Sequence, residues 1–304
     1  MSDPYDEERY ECENCGTYLE SSEVCEFRDG IYCCECYDEL IDEKIEDSHY
    51  RPLPRFKKME RDDDLFMGFE LEVEMDDERD RKSSQLTNYL EGEGVADVFY
   101  LKEDGSLDNG FELVSHPITL NYLRKKLKMK KILKWLKQNK FETNYNCGLH
   151  VHINEKFLSK EDIIKLRAFF SLNKESLFKF SHRDDINNDY CQYEEFDMDM
   201  FLDEEEQEDR YWALNLNTGQ NTVEVRIFSG TLDENRFLGY LEFVDSLVRY
   251  CKKNSLEKVV QYGDSSKSWE YFMNYLTKYK RKYKTTKQEL HKDKLLNTTT
   301  QVLN

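Results

Sequence analysis

An α+β fold with a small cysteine-rich module at its N-terminus is what the sequence predicts, on three observations. Several segments alternate apolar and polar residues with the period of a half-buried strand, and others repeat apolar residues at helical spacing. Two C-x2-C pairs stand close together near the N-terminus. A chain of 304 residues has room for one sizeable domain and a satellite, and 20 Tyr and 18 Phe supply a core although hydrophobic content is only 38%.

The first unit, residues 1–48, is built on the cysteines. Cys12 and Cys15 form one C-x2-C, Cys33 and Cys36 the other, seventeen residues after the first ends. Each pair can clamp one side of a tetrahedral ion, so the four predict structural zinc of the treble-clef or LIM-like kind. Cys34 is an alternative fourth ligand and Cys25 a candidate buried thiol. A hairpin is expected between the pairs with Asp29-Gly30 at its turn, and a helix after Cys36 with Leu40, Ile41 and Ile45 on one face. Four thiolates leave no open coordination position, which makes the module structural and a docking point for a protein partner. Residues 49–62 carry two prolines and alternating charge, and form a linker or strap.

The main unit, residues 63–260, opens on GFELEVE. Glu70, Glu72 and Glu74 share one strand face, and Phe69, Leu71 and Val73 the other. Three carboxylates side by side repel, and a hard divalent cation is the natural counter-charge. A short helix over 85–95 follows, then a strand, an Asp104-Gly105-Ser106 turn and a second strand carrying Glu112. One lysine-faced helix is expected over 119–140. In NCGLHVHIN both His150 and His152 fall on one face, with Gly148 just before them. A long helix capped by Ser159 spans 159–180, and residues 184–209 read as an acidic loop, a lid or a solvated insertion. In the strand TVEVRIFS, Val223, Val225 and Ile227 are expected inward, with Glu224, Arg226 and Phe228 opposite. Residues 233–254 form a striped helix, and 261–304 a helical, basic tail.

Composition excludes some classes. Asp and Glu number 63 against 44 Lys and Arg, a net charge of −19. A duplex-binding protein of this size carries a dominant basic face, so nucleic acid is not expected as the main partner. No apolar run is long enough to span a membrane, and the first residues lack the parts of a signal peptide. A cytoplasmic address is expected, with the nine cysteines as metal ligands or thiols rather than disulfides.

Four segments taken together, GFELEVE, DGSLDNGFELVSHP, CGLHVHIN and TVEVRIFSGTL, resemble the amidoligase family of carboxylate–amine ligases, which is similar to glutamine synthetase and glutamate–cysteine ligase. The resemblance covers about residues 65–250 and leaves out the cysteine module and the tail. It implies a curved antiparallel sheet of the glutamine synthetase-like type, packed with helices, whose concave face carries Mg²⁺ and ATP. Glu70 and Glu72 match the first metal pair, Glu112 a second-strand ligand, His150 the histidine ligand and Glu224 the late metal glutamate. Arg226 matches the phosphate-contacting arginine, and Arg210 and Asn215 a looser R-Y-x-x-N element. Glu74 matches no ligand and is expected to be solvated.

The activity implied is ATP- and Mg²⁺-dependent joining of a carboxylate and an amine, free or carried on a peptide or protein, through an acyl phosphate. Counterparts of the ammonium site and long catalytic loop of glutamine synthetase are absent from the sequence, as is any Walker A or G-x-G-x-x-G loop. Phosphates would then rest on the metals and Arg226. Two other classes stand beside this one. A metal-dependent hydrolase or nuclease could use the same Glu/His set without ATP, and a non-catalytic scaffold could recruit partners through the finger.

Overall fold

The structure, a computed structural model, describes residues 9–27, 30–41, 44–76, 78–186, 189–197 and 210–295. The N-terminal module pairs β1 (Tyr10–Glu11) with β2 (Tyr18–Leu19) and β3 (Cys25–Phe27) with β4 (Gly30–Tyr32), and ends in α1 (Cys34–Ile41). The second hairpin lies where it was expected, although Asp29 of its turn is outside the described residues, as are the side chains of Leu40 and Ile41. The expected helical run does not reach Ile45. The helix stops at Ile41, and Ile45–Glu46 is a strand, β5, that pairs in parallel with the main sheet.

In the main sheet, β6 (Met67–Glu74), β8 (Gly110–Ser115), β9 (Gly148–Asn154) and β11 (Thr222–Ser229) form the centre. Flanking them are β7 (Phe99–Lys102) beside β8 and β10 (Leu214–Asn215) beside β11. The seven strands run in the order β10-β11-β9-β6-β8-β7-β5, antiparallel except at the β5 edge, so the sheet is mixed. Residues 49–62 act as a strap, with Lys57 bridging to Ile118 beside β6.

Helices cover one face. Between β6 and β9 come α2 (Arg79–Gly92), α3 (Leu120–Lys126) and α4 (Met129–Gln138). After β9 come α5 (Lys160–Leu172) and α6 (Lys174–Ser181), and after β11 come α7 (Glu234–Lys253), α8 (Leu256–Val260), α9 (Ser265–Lys278) and α10 (Lys284–Lys292). Phe69, Leu71, Val73, Leu113, Leu149 and Val151, all buried, share one core with α7 through contacts such as the edge-on Phe69–Phe237 pair at 5.0 Å. The opposite face of the same strands carries the carboxylates and imidazoles. Alternation along each strand therefore sorts core from site across the whole sheet.

Several expected elements differ in detail. The helix of 119–140 is two, because Lys128 adopts a left-handed conformation (φ 54°) and turns its ammonium onto Glu93. The helix of 159–180 breaks at Asn173, whose amide donates to Phe169 O and Ser268 Oγ. Its start is as expected, a capping box of Ser159 and Asp162. The helix expected from 85 begins at Arg79. The segment after residue 260 is no separate tail up to Leu295: Trp269, Phe272, Leu276, Tyr283 and Leu290 belong to the core of the sheet. Residues 296–304 lie outside the described residues. No described helix is long and apolar enough to cross a membrane.

Candidate metal centre

Register brings the site together. Across β6 and β9, Glu70 stands opposite His150 and Gly68 opposite His152. Glu72 pairs with Glu112 of β8, Glu112 with Lys102 of β7, and Glu224 of β11 with His152. Glu70, Glu72, Glu112, His150 and Glu224, read from the sequence as one set, thus converge on one sheet face, each less than a tenth exposed. His150 Nδ1 lies 3.7 Å from Glu70 Oε2 and 3.6 Å from Glu224 Oε1, and its Nε2 is 3.7 Å from Glu72 Oε1. Glu74 is the most solvated of the three, as expected, and belongs to none of the candidate ligand groups; at the strand end it accepts from the Asp108 amide at 3.0 Å and from the Asn144 side chain, fastening two loops.

The register of β11 shifts between Val225 and Phe228, so Arg226 and Ile227 together face His150 of β9. The bulge keeps Arg226 beside Glu224, with Nη1 2.7 Å from Glu224 Oε1. It also reverses the expected placing of Phe228, which pairs with Leu149 on the core face and stacks on Tyr240 at 4.2 Å. Asn215 of β10 donates its amide to Glu224 Oε2 at 2.6 Å, so the looser element does reach the cluster. Arg210 does not enter it. It is exposed, its guanidinium 5.1 Å from the Tyr211 ring, which lies 5.9 Å from Arg226 on its other contact.

Three groups of candidate ligands have donor atoms within 4.8 Å of one another: Glu70, Glu112 and His150; Glu70, His152 and Glu224; Glu72, Asp104 and Glu112. Asp104 was legible only as a turn residue, which it also is, accepting the Ser106 amide at 2.7 Å. Lys102 had no signal in the sequence, yet its ammonium stands 2.7 Å from Glu112 Oε2 and 3.6 Å from Glu70 Oε1. Five carboxylates (Glu70, Glu72, Asp104, Glu112, Glu224) thus meet only Lys102 and Arg226 as fixed positive partners within ion-pair distance among the described residues.

His152 decides what the imbalance means. Thr222 Oγ1 spends its proton on Thr218 Oγ1, so it accepts from Nδ1–H of His152, 3.0 Å away. That fixes the tautomer, and Nε2 of the neutral ring is left with a lone pair. This atom is buried without a hydrogen-bond partner, 3.5 Å from Glu70 Oε2 and 3.8 Å from Glu224 Oε1. A lone pair facing two carboxylates is repulsive unless a cation lies between them.

The titration of the cluster follows from the same fields. Burial opposes ionisation of Glu70, but His152, His150 and Lys102 outweigh it and hold the carboxyl well below its usual range. Burial and the charge of Glu70 push Glu112 well above it. For His152, burial works against the charged ring, and Glu70 and Glu224 overcome this and raise its pKa. The field that favours a positive charge on the His152 ring equally favours a metal ion at its Nε2. Donors of this kind, hard oxygens with two imidazoles, fit a divalent ion such as Mg²⁺ or Mn²⁺.

The second cluster is softer. The Sγ atoms of Cys12, Cys15, Cys33 and Cys36 lie within 4.8 Å of one another, with Cys15 and Cys33 3.9 Å apart. Sulfurs around tetrahedral zinc stand about 3.8 Å apart, given bonds of about 2.3 Å. Cys34 is not among the four; its sulfur faces that of Cys25, half-buried, at 3.2 Å. Burial disfavours the Cys12 thiolate, but the backbone amides of Cys15, Cys33 and Asn14 bring its pKa down to about 6. A small cavity of about 140 Å³ near Asp245 and Arg249 is a different matter. Its charges satisfy one another: Arg249 pairs with Asp63 and Asp245, and Lys282 with Asp245.

Residues 57–192, a little under half of the chain, match the model of the family described as "Putative amidoligase enzyme". The match includes Glu70, Glu72, Lys102, Asp104, Glu112, His150 and His152, and stops before Glu224 and Arg226. No curated protein matches the chain at a significant level.

Proposed function

We propose that this chain is an ATP- and Mg²⁺-dependent carboxylate–amine ligase with a sheet of the glutamine synthetase-like type, and that its four-cysteine module holds structural zinc. The observation that carries the reading is the orphaned Nε2 of His152 between Glu70 and Glu224, in a buried cluster short of positive charge. The family match over 57–192 supports the reaction class.

Amide formation from a carboxylate in water is uphill, so the acid must be activated. A carboxylate oxygen attacks the γ-phosphorus of ATP and the bond to the β–γ bridging oxygen breaks, which releases ADP. The amine nitrogen then attacks the acyl carbon, the C–O bond to phosphate breaks, and inorganic phosphate leaves as the nitrogen loses a proton. Glu70, His152 and Glu224 would hold one Mg²⁺, and Glu72, Asp104 and Glu112 a second, with His150 beside Glu70 and Glu112. Bound there, the ions supply neutralisation of the phosphate oxygens and leave coordination places open to them. Arg226 is kept charged and oriented by Glu224, with further N–H groups able to meet a phosphoryl oxygen in a planar fork. Asn215 and Gly148 keep carboxylates in place: the amide of Asn215 holds Glu224, and the Gly148 N–H reaches Glu72 Oε2 at 2.5 Å. Lys102 limits repulsion between Glu70 and Glu112.

The test is product formation from ATP, Mg²⁺ and a pool of small carboxylic acids and amines, followed by mass spectrometry. One ADP and one phosphate per new amide are expected, with turnover abolished in Glu72→Ala and Glu224→Gln while both variants melt as cooperatively as the parent. Turnover retained in both, or bond cleavage without ATP, contradicts the reading.

A further inference from the structure

Arg183 lies in the same neighbourhood and none of the steps above uses it. It follows α6 through a left-handed turn at His182 (φ 58°), and that turn is anchored on both sides. The Tyr240 hydroxyl donates to Ser181 O at 3.0 Å, and the His182 ring reaches Tyr240 Oη at 2.9 Å and Asp293 Oδ1 at 3.2 Å. The anchored turn sends the Arg183 side chain back over the start of β9. Gly148 shares the site face with His150, and the place its side chain would take is filled by the guanidinium. A Cβ on Gly148 would lie 2.8 Å from Arg183 Nη2, 2.8 Å from His150 Nε2 and 3.3 Å from Glu72 Oε2.

The partners of this guanidinium are weak ones. Nη1 donates to Cys147 O at 3.5 Å and Nη2 to Arg226 O at 3.3 Å, and the buried Nε has no partner. A guanidinium has five N–H donors, so most are unused. Among the described residues no carboxylate pairs with it, in a chain of net charge −19 and beside a cluster of acids. A half-buried arginine that borders the carboxylates yet pairs with none is arranged for an anion from outside.

We propose that Arg183 is a substrate-binding residue that takes an oxyanion at the Glu72–His150 side of the site. The source of that oxyanion, an acid's carboxylate or a phosphate oxygen of ATP, follows from the ligase reading, on which this assignment rests. A merely structural arginine would do no more than satisfy the carbonyls of Cys147 and Arg226, the latter freed by the bulge. Lysine separates the two roles, because it can donate to a carbonyl but cannot present a bidentate fork.

The experiment measures binding of three probes to the intact, Mg²⁺-loaded chain by calorimetry: inorganic phosphate, acetate and a non-hydrolysable ATP analogue. Arg183→Met and Arg183→Lys are compared with the parent, with thermal melting alongside. Both variants are expected to bind at least one probe about 10- to 100-fold more weakly, the scale of a lost charge-assisted pair. A loss confined to acetate assigns Arg183 to the acid, and a loss with phosphate and the analogue assigns it to the phosphoryl group. If Arg183→Met does not fold, Arg183→Lys decides. Unchanged affinity for all three probes in Arg183→Lys, or no binding of any probe by the parent, overturns the assignment. Binding is read without turnover. A chain that holds oxyanions through Arg183 but forms no ADP therefore contradicts the ligase reading and leaves this one standing.

Discussion

Residue by residue, the site works by leaving charges unbalanced in places that exclude water. His152 is the clearest case, its tautomer set by Thr222 and its lone pair turned on two carboxylates. Gly148 is the complementary case, a position where the absence of a side chain makes room for Arg183 and His150. Gly148→Ala is expected to fold, with a melting temperature within a few degrees of the parent, since the groups displaced are side-chain ends. Its affinity for a divalent ion should fall, because His150 must move; equilibrium dialysis against Mn²⁺ checks this. The E-x-E pair and both histidines were legible because a period of two puts them on one face. Lys102, Asp104 and Arg183 were not. Lys102 and Asp104 lie at the end of one strand and in the turn after it, where sequence offers no rule for what they face. Arg183 reaches the site only through a turn whose left-handed residue, His182, carries no glycine to announce it.

At the scale of elements, the bulge in β11 matters most. Simple alternation puts Glu224, Arg226 and Phe228 on one face, and the extra residue opposite His150 sends Phe228 to the core instead. There it meets Phe180, Tyr240 and Phe243. Phe228→Ala should therefore destabilise the fold by about 3–5 kcal/mol, as buried aromatic truncations do. Urea denaturation measures it; a change within about 0.5 kcal/mol, the ordinary surface range, would return Phe228 to the site face. The helix breaks at Lys128 and Asn173 escaped sequence reading for a related reason. Both are stabilised by contacts from afar, with Glu93 and with Ser268, which nothing in the neighbouring sequence announces.

For the whole molecule, the described part of the predicted tail, up to Leu295, packs into the core, because its lysines lie outside a stripe of Trp269, Phe272 and Leu276 that needs a partner. Asp63, the first residue after the strap, pairs with Arg249 of α7. Hydrogen bonds and charge from Arg249 lower the Asp63 pKa despite partial burial. Its contribution to stability is thus complete above the unfolded value of about 3.9 and is lost as pH falls through the lower folded value. Asp63→Asn should be less stable than the parent at neutral pH, and the two should converge once pH has fallen through the folded value of Asp63. Parallel stability curves across that range would contradict the linkage.

As proposed above, one face of the sheet would hold divalent cations and the N-terminal thiols would hold a separate one. Anomalous diffraction from crystals grown with Mn²⁺ and Zn²⁺ tests it most directly. Zinc is expected among Cys12, Cys15, Cys33 and Cys36, and manganese touching Nε2 of His152 with Glu70 and Glu224. A sheet face free of manganese at saturating concentration, with His152 still bare between its two carboxylates, would contradict it.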